Sequence, residues 1–220
     1  MLTNSHIATK STSQNHINVI LYYLRKNQLD FPEEIDQKCT TVDAYFHGWF
    51  DKELLVWPNH ELRLQSFVLG SLPLLGKSWV NVDRIFIPIN KPNIHWCLAV
   101  VNLPKWTIEL YDSLRGEIHD KDMEELVVPL SVALPYLMSS VDFYLGRPEL
   151  ERFRENPMQI RHVNCPSQTG GDCGMFMVKF AEFMMCGQPL EKCTQADMPF
   201  FRNKIGIELF RHGVSNNRKD

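Results

Sequence analysis

The chain has 220 residues, 44% of them hydrophobic and 22% charged, which is ordinary globular usage and excludes a disordered or fibrous chain. Its 23 Lys and Arg against 26 Asp and Glu leave a formal charge of −3 with no clustered basic face, so nucleic acid is not an expected partner. The apolar stretches 67–76 and 126–138 are interrupted by Pro or Gly and fall short of the roughly 20 residues of a membrane span, so no membrane is expected either.

The first fourteen residues are rich in Ser, Thr, Asn and Gln and lack the apolar core of a secretory signal. They predict a disordered N-terminus over 1–14, followed by one domain over 15–213 and a polar tail over 214–220, with no linker dividing the chain. Nucleus or cytoplasm is the expected location. There the six cysteines, scattered without a CxxC pair, are expected to be free thiols.

In chain order, Ile17, Ile20, Leu21 and Leu24 recur at helical spacing and predict an amphipathic helix over 16–27. A loop follows over 31–41, with Glu33, Glu34 and Asp36 read as its solvated face. Helices are expected over 42–53 and 59–69. The character then changes: 82–89, 95–103 and 107–112 are rich in β-branched and aromatic residues and read as three successive strands. Helix returns over 118–138, expected to break near Pro129 and Pro135, then a short strand over 158–163 and two helices over 173–186 and 198–212. Helices, then strands, then helices make an α+β domain.

Leu103-Pro104-Lys105-Trp106 reads as a four-residue type I turn, with Pro at its second position. Asn102 then faces Thr107, and the same register carries Asp112 to Cys97. His95 lies two residues earlier on that face, as a diagonal neighbour of Asp112 about 7 to 8 Å away between backbones. Two readings stay open for this pair. It is either a structural His beside an Asp that caps the turn with Ser113, or an imidazole held in one tautomer by a carboxylate, as in a catalytic triad.

The segment CPSQTGGDCGMF over 165–176 is a glycine-rich loop running into an apolar helical pattern, which delivers Cys173 to a helix N-terminus. Helix dipole and free N–H groups favour a thiolate there. Asp172 fits as the N-cap in a structural role, since its charge opposes a thiolate. Gly170, Gly171 and Gly174 permit tight turns, and Gln168 could aim its amide N–H at an oxyanion beside the Cys173 N–H. A buried, inert Cys173 is the alternative. Cys97, mid-strand and apolar in setting, reads as core, and His162, Cys165 and Cys173 lack a metal-ligand spacing pattern.

His95-Trp96, Tyr111-Asp112-Ser113-Leu114, Gln168 and Asp172-Cys173-Gly174-Met175-Phe176 together resemble the ubiquitin-like-protein-specific (SUMO) cysteine proteases. LYYLRK over 21–26 and MPFFRNKI over 198–205 look most like the plant branch. The resemblance implies a papain-like α+β fold, with a central mixed sheet flanked by helices and the nucleophile at a helix N-terminus. It further implies cleavage after the C-terminal Gly-Gly of SUMO or another ubiquitin-like protein, by a monomer with no metal or organic cofactor. Cys173 would be the nucleophile, His95 the general base and then acid, Asp112 the orienter and Gln168 the oxyanion donor. Trp96, Gly171 and Asp172 would lie on the substrate side, with Trp96 roofing the channel for the Gly-Gly tail. The chain departs from the pattern twice. Ser11-Thr12 stands near the place of the family's upstream Trp-Leu, and Gln168 sits five residues before Cys173 instead of six, leaving Ser167 in the usual slot. A binding module of the same family without activity is the second reading these departures leave.

Overall fold

The structure, a computed structural model, describes residues 14–50 and 60–216. Ser11-Thr12, nearly all of the expected disordered stretch, and residues 51–53 of an expected helix lie outside that range. Helix α1 spans Gln14–Asp30, a three-residue strand β1 covers Cys39–Thr41, and α2 covers Glu61–Val68. Strands β2 (Arg84–Lys91), β3 (His95–Asn102) and β4 (Thr107–Tyr111) follow. After helices α3 (Glu117–Ser139) and α4 (Phe143–Gly146) come β5 (Gln159–Val163), α5 (Cys173–Met185) and α6 (Met198–Asn216).

The five strands form one mixed sheet in sequence order. β1 runs parallel to β2, β2 and β3 are antiparallel, β3 and β4 are antiparallel, and β5 runs parallel to β4. Side chains alternate across it. Ile85, Ile87, Ile89, Cys97, Ala99 and Val101 pack on one face against α2 and α3, while Phe86, Leu98 and Val100 pack on the other against α1 and α5. Both faces are covered, which is why β3 reads as a nearly continuous apolar run.

The β3–β4 register is the expected one, with Asn102 opposite Thr107 and Leu98 opposite Tyr111. Its turn closes with Trp106 N–H donating to Leu103 O at 3.1 Å, and Trp106 itself is left-handed at φ 56°. That conformation is anchored by tertiary contacts: the indole N–H donates to Asn156 O at 2.8 Å, and the ring stacks on Phe153 at 5.1 Å.

Four expectations are corrected. α3 runs unbroken through Pro129 and Pro135. A proline leaves the carbonyl four residues earlier without its helical donor, and for Pro135 that carbonyl, Ser131 O, accepts the Met158 N–H at 2.9 Å from the start of the β5 segment. The expected 31–41 loop ends in β1, which pairs with β2 over three positions. The segment expected to be helical from 42 holds, within its described part, only a single 3-10 turn over Phe46–Trp49. Asp36 is not merely solvated: its carboxylate takes the Arg84 guanidinium at 2.7 Å and ties the chain before β1 to β2. Among the described residues, no helix is long and apolar enough to cross a membrane.

Gly70, just past the end of α2, adopts φ 81°, and a Cβ built there would lie 2.2 Å from the Ser78 nitrogen. Gly70→Ala is therefore expected to cost at least about 2 kcal/mol in urea unfolding. Gly48→Ala, where a Cβ meets nothing within 4 Å, serves as the control expected to stay within about 1 kcal/mol. Equal midpoints for the two variants would refute the close approach at Gly70.

Candidate active site

Topology gathers the candidate residues at one end of the sheet. β3 and β4 are antiparallel, so the start of β3, His95, lies beside the end of β4, which Asp112 follows directly. β5 is parallel to β4 and leaves the sheet at the same end, so the loop 164–172 and the start of α5 are delivered there too. Two contacts hold this return: Gln168 N–H donates to Ser113 O at 2.8 Å, and the Cys165 thiol donates to Asp112 O at 3.2 Å.

His95 Nε2 lies 2.7 Å from Asp112 Oδ1, with both side chains at most 2% exposed. Burial alone would raise the Asp112 pKa. The hydrogen bond and charge of His95, the Leu114 N–H and the charge of His119 outweigh it and hold the carboxyl below its usual range. An ionised carboxylate only accepts, so Nε2 is the protonated nitrogen and Nδ1 is left for the His95 hydrogen bond to Cys173. Burial opposes a charged His95, but Asp112 and Cys173 together raise its pKa to about 9.

Cys173 is half-buried at the first position of α5. Burial would push its thiol up; hydrogen bonds from His95 and from the Trp96 and Gly174 N–H groups, with the charge of His95, bring it below the ordinary thiol value. The other five cysteines go the opposite way, burial being the leading cause in each. Cys97 lies well above the usual value, Cys39 and Cys193 are pushed up to about 12, Cys165 to about 11, and Cys186 also upward. The rival nucleophile Cys97 sits in the core between the sheet and α3.

The remaining candidates fall around this pair. The Gln168 carboxamide oxygen accepts the Asp172 N–H at 3.0 Å, which fixes that side chain in the turn before Cys173, whereas Ser167 is exposed. Trp96 is 4% exposed and packs with α1 and α5 in the core. Gly171 is left-handed at φ 64°, as the tight turn requires; Gly170 is not, and a Cβ there would meet open space. Asp172 occupies the N-cap position but makes no side-chain cap, a correction to its expected role. Its carboxylate instead accepts from Gln195 Nε2 at 2.6 Å and from the Arg202 guanidinium, with Nε at 2.8 Å.

Three groups here carry no signal in the sequence read alone. Gln195 bridges the loop by accepting the Thr169 N–H at 2.9 Å while donating to Asp172. Arg202 stands within the 198–205 stretch but reveals its target only through the fold. His119, in the first turn of α3, lies with Nε2 2.9 Å from Asp112 Oδ2. Among the described residues, His95, Asp112 and His119 are the group of potential metal donors gathered within 4.8 Å. Their lone pairs and protons already meet one another across the two carboxylate oxygens. His162 faces Glu124 at 3.6 Å, and no metal set with Cys165 and Cys173 forms among the described residues.

A profile described as the Ulp1 protease family, C-terminal catalytic domain, matches residues 69–216, well over half of the chain. The chain belongs to the Ulp1 protease family. Ubiquitin-like-specific protease 1A of Arabidopsis thaliana is 34% identical over 196 residues, covering 89% of this chain and 36% of that protein. The putative ubiquitin-like-specific protease 1B of the same plant is 32% identical over 201 residues, 88% of this chain and 52% of its own length. The chain thus spans about a third to a half of these relatives. In fold it resembles the yeast Ulp1 C-terminal protease domain solved with Smt3, the yeast ortholog of SUMO, at a TM-score of 0.62 and 18% identity, over 90% of this chain and 76% of that one. These matches agree with the plant-type resemblance and with the expected α+β fold.

The lowered Cys173 thiol and the His95 pKa raised to about 9 both favour a thiolate–imidazolium pair over the neutral pair. Alkylation by iodoacetamide, followed on the Cys173 peptide by mass spectrometry, is expected to level off at a lower pH than for an ordinary thiol. An unperturbed thiol would instead gain about tenfold per pH unit below its pKa near 8.5. In His95→Ala, burial is left unopposed by the imidazole and the steep dependence should return. A steep dependence in the wild type would dissolve the pair.

Proposed function

We propose that this chain is the catalytic domain of a cysteine-type peptidase and isopeptidase that cleaves after the C-terminal Gly-Gly of SUMO or another ubiquitin-like modifier. The observation that carries the reading is the connected chain Asp112, His95, Cys173 at the start of α5. Family membership, relatives named ubiquitin-like-specific proteases and a fold neighbour solved with a SUMO ortholog support the substrate class.

The geometry suits acyl transfer in two halves. The Cys173 thiolate attacks the carbonyl carbon after the second glycine, and negative charge moves onto the carbonyl oxygen. The Cys173 N–H, free at the helix start, and the Gln168 –NH2 would stabilise that oxygen. The carboxamide orientation supports this assignment, because its oxygen is already engaged by the Asp172 N–H. The His95 imidazolium then gives its Nδ1 proton to the departing amine as the C–N bond breaks, leaving a thioester. In the second half His95 takes a proton from water, the hydroxide displaces sulfur, and the thiolate–imidazolium pair is restored. Asp112 holds the ring throughout.

Trp96, Gly171 and Asp172 would border the substrate tail. Gly171 is exposed directly before Asp172, and the Trp96 N–H reaches the Cys173 sulfur, so residues of the tail pass close to both. Asp172, whose oxygens are occupied, contributes there through its backbone. We place the protein in the nucleus or cytoplasm, acting as a monomer.

The test is covalent capture by a ubiquitin-like protein carrying a thiol-reactive C-terminus, run with several modifiers. Wild type should form a 1:1 adduct, Cys173→Ala should form none while keeping its fold, and Cys97→Ala should still react. Binding without an adduct in the wild type would instead leave a non-catalytic binding module. On the alkaline side, cleavage should fall as pH rises through about 9, because His95, its pKa raised to that value, then lacks the proton the leaving amine needs.

The loop shortened by one residue puts Gln168 and Ser167 in competition for the oxyanion. Gln168→Ala is expected to lower kcat by about 10² to 10³ with little change in KM, the usual loss for one oxyanion donor. Ser167→Ala, on an exposed side chain, should be nearly silent. The reverse pattern in steady-state kinetics would move the donor to Ser167.

A further inference from the structure

Asp112 has two histidines. His95 and the Leu114 N–H both donate to Oδ1, at 2.7 and 2.8 Å, and His119 Nε2 lies 2.9 Å from Oδ2. Because the carboxylate is ionised and can only accept, His119 donates Nε2–H to it. A carboxylate bound through one oxygen is free to turn about Cβ–Cγ, and turning would carry Oδ1 off the His95 nitrogen. The second oxygen is buried, so leaving it unpartnered would also be costly. His119 removes both problems at once. It braces His95 directly as well: the two imidazole rings lie 4.8 Å apart at 82°, an edge-to-face contact.

His119 is itself held. Arg115 grips Asp120, with Nη2 at 2.9 Å, and donates to Val163 O at 3.2 Å, which staples the first turn of α3 to the end of β5. The Asp120 N–H closes that turn on Gly116 O at 2.7 Å. The ring therefore reaches Asp112 from a fixed support, and its side chain is 18% exposed against 2% for the carboxylate it caps.

We propose that His119 is a positioning residue of the site: it locks the Asp112 carboxylate plane and the His95 ring so that Nδ1 of His95 stays aimed at Cys173. This rests on the reading of Asp112, His95 and Cys173 as the reacting chain. His119 touches neither substrate nor sulfur, and its effect passes through Asp112 and His95. Because its edge is open to solvent, water can replace part of the donated hydrogen bond, so its loss weakens the site without abolishing it.

The experiment compares wild type, His119→Ala and His119→Gln by steady-state kinetics on a modifier-linked fluorogenic substrate, and by the low-field ¹H NMR resonance of the His95 Nε2 proton, identified by its loss in His95→Ala. His119→Ala is expected to lower kcat roughly 10-fold, the scale of one hydrogen bond to a charged group, with KM within about twofold, and to shift or broaden the His95 resonance. His119→Gln, which keeps an N–H donor, should recover most of both. An unchanged His95 resonance in His119→Ala overturns the proposal. So does kcat within about twofold of wild type, or a loss that Gln fails to rescue while both variants keep wild-type thermal unfolding. If wild type cleaves nothing, the peptidase reading fails. The resonance, which needs no substrate, still decides whether His119 holds the His95–Asp112 pair.

Discussion

The structure depends on the register of one antiparallel pair. Alternation along a strand has period two, so a turn between β3 and β4 longer or shorter by one residue would place His95 and Asp112 on opposite faces of the sheet. The turn is held at its length by the Leu103–Trp106 hydrogen bond, the left-handed Trp106, and the burial of that indole against Phe153 with its N–H on Asn156. A tryptophan at the opposite end of the hairpin thereby sets the distance between an imidazole and a carboxylate. Everything at the site is built outward from that distance: the tautomer of His95, the nitrogen it presents to sulfur, and the ion pair it forms.

The same core that builds the sheet also sorts the cysteines. Six thiols in one domain would be a hazard if all were reactive. Three of them, Cys39, Cys97 and Cys193, are buried, Cys165 and Cys186 partly so, and in all five burial is the leading cause that raises the thiol pKa. Cys173 is also partly buried, yet it is opposed there by a cation and by N–H groups converging at a helix start. Desolvation acts on all six with one sign; only a compensating field distinguishes the sixth. Selectivity among chemically identical groups is thus a property of their surroundings.

Much of this was legible in the residues. The alternation of 107–112, the turn chemistry at Pro104 and the glycine-rich approach to an apolar helix each report local backbone preference, and local preference placed His95, Asp112 and Cys173 on the right elements. What was not legible is what tertiary contact decides. Three residues of β1 are too few to show a period. At Pro135 the carbonyl that α3 leaves without a helical donor, Ser131 O, is met by Met158 N–H, a partner from beyond α4. His119 sits at a helix start with no periodic or motif signal, and it acquires meaning only because that helix starts where β4 ends. Asp172 reads as a cap because capping residues are common before helices, and it is drawn away by Gln195 and Arg202.

That last substitution of partners changes the electrical character of the site. A bare aspartate immediately before Cys173 would face a thiolate there as a monopole of like sign. Paired with Arg202 it presents a dipole, whose field at the sulfur falls off faster and is smaller at the outset. α6 thus supplies a countercharge to the carboxylate that stands directly before Cys173, the first residue of α5. A chain with the same hairpin and the same glycine loop but no arginine on that helix would set this cysteine beside an uncancelled carboxylate. Helix α6 is in this sense part of the site's electrostatics, reaching it through the carboxylate of Asp172.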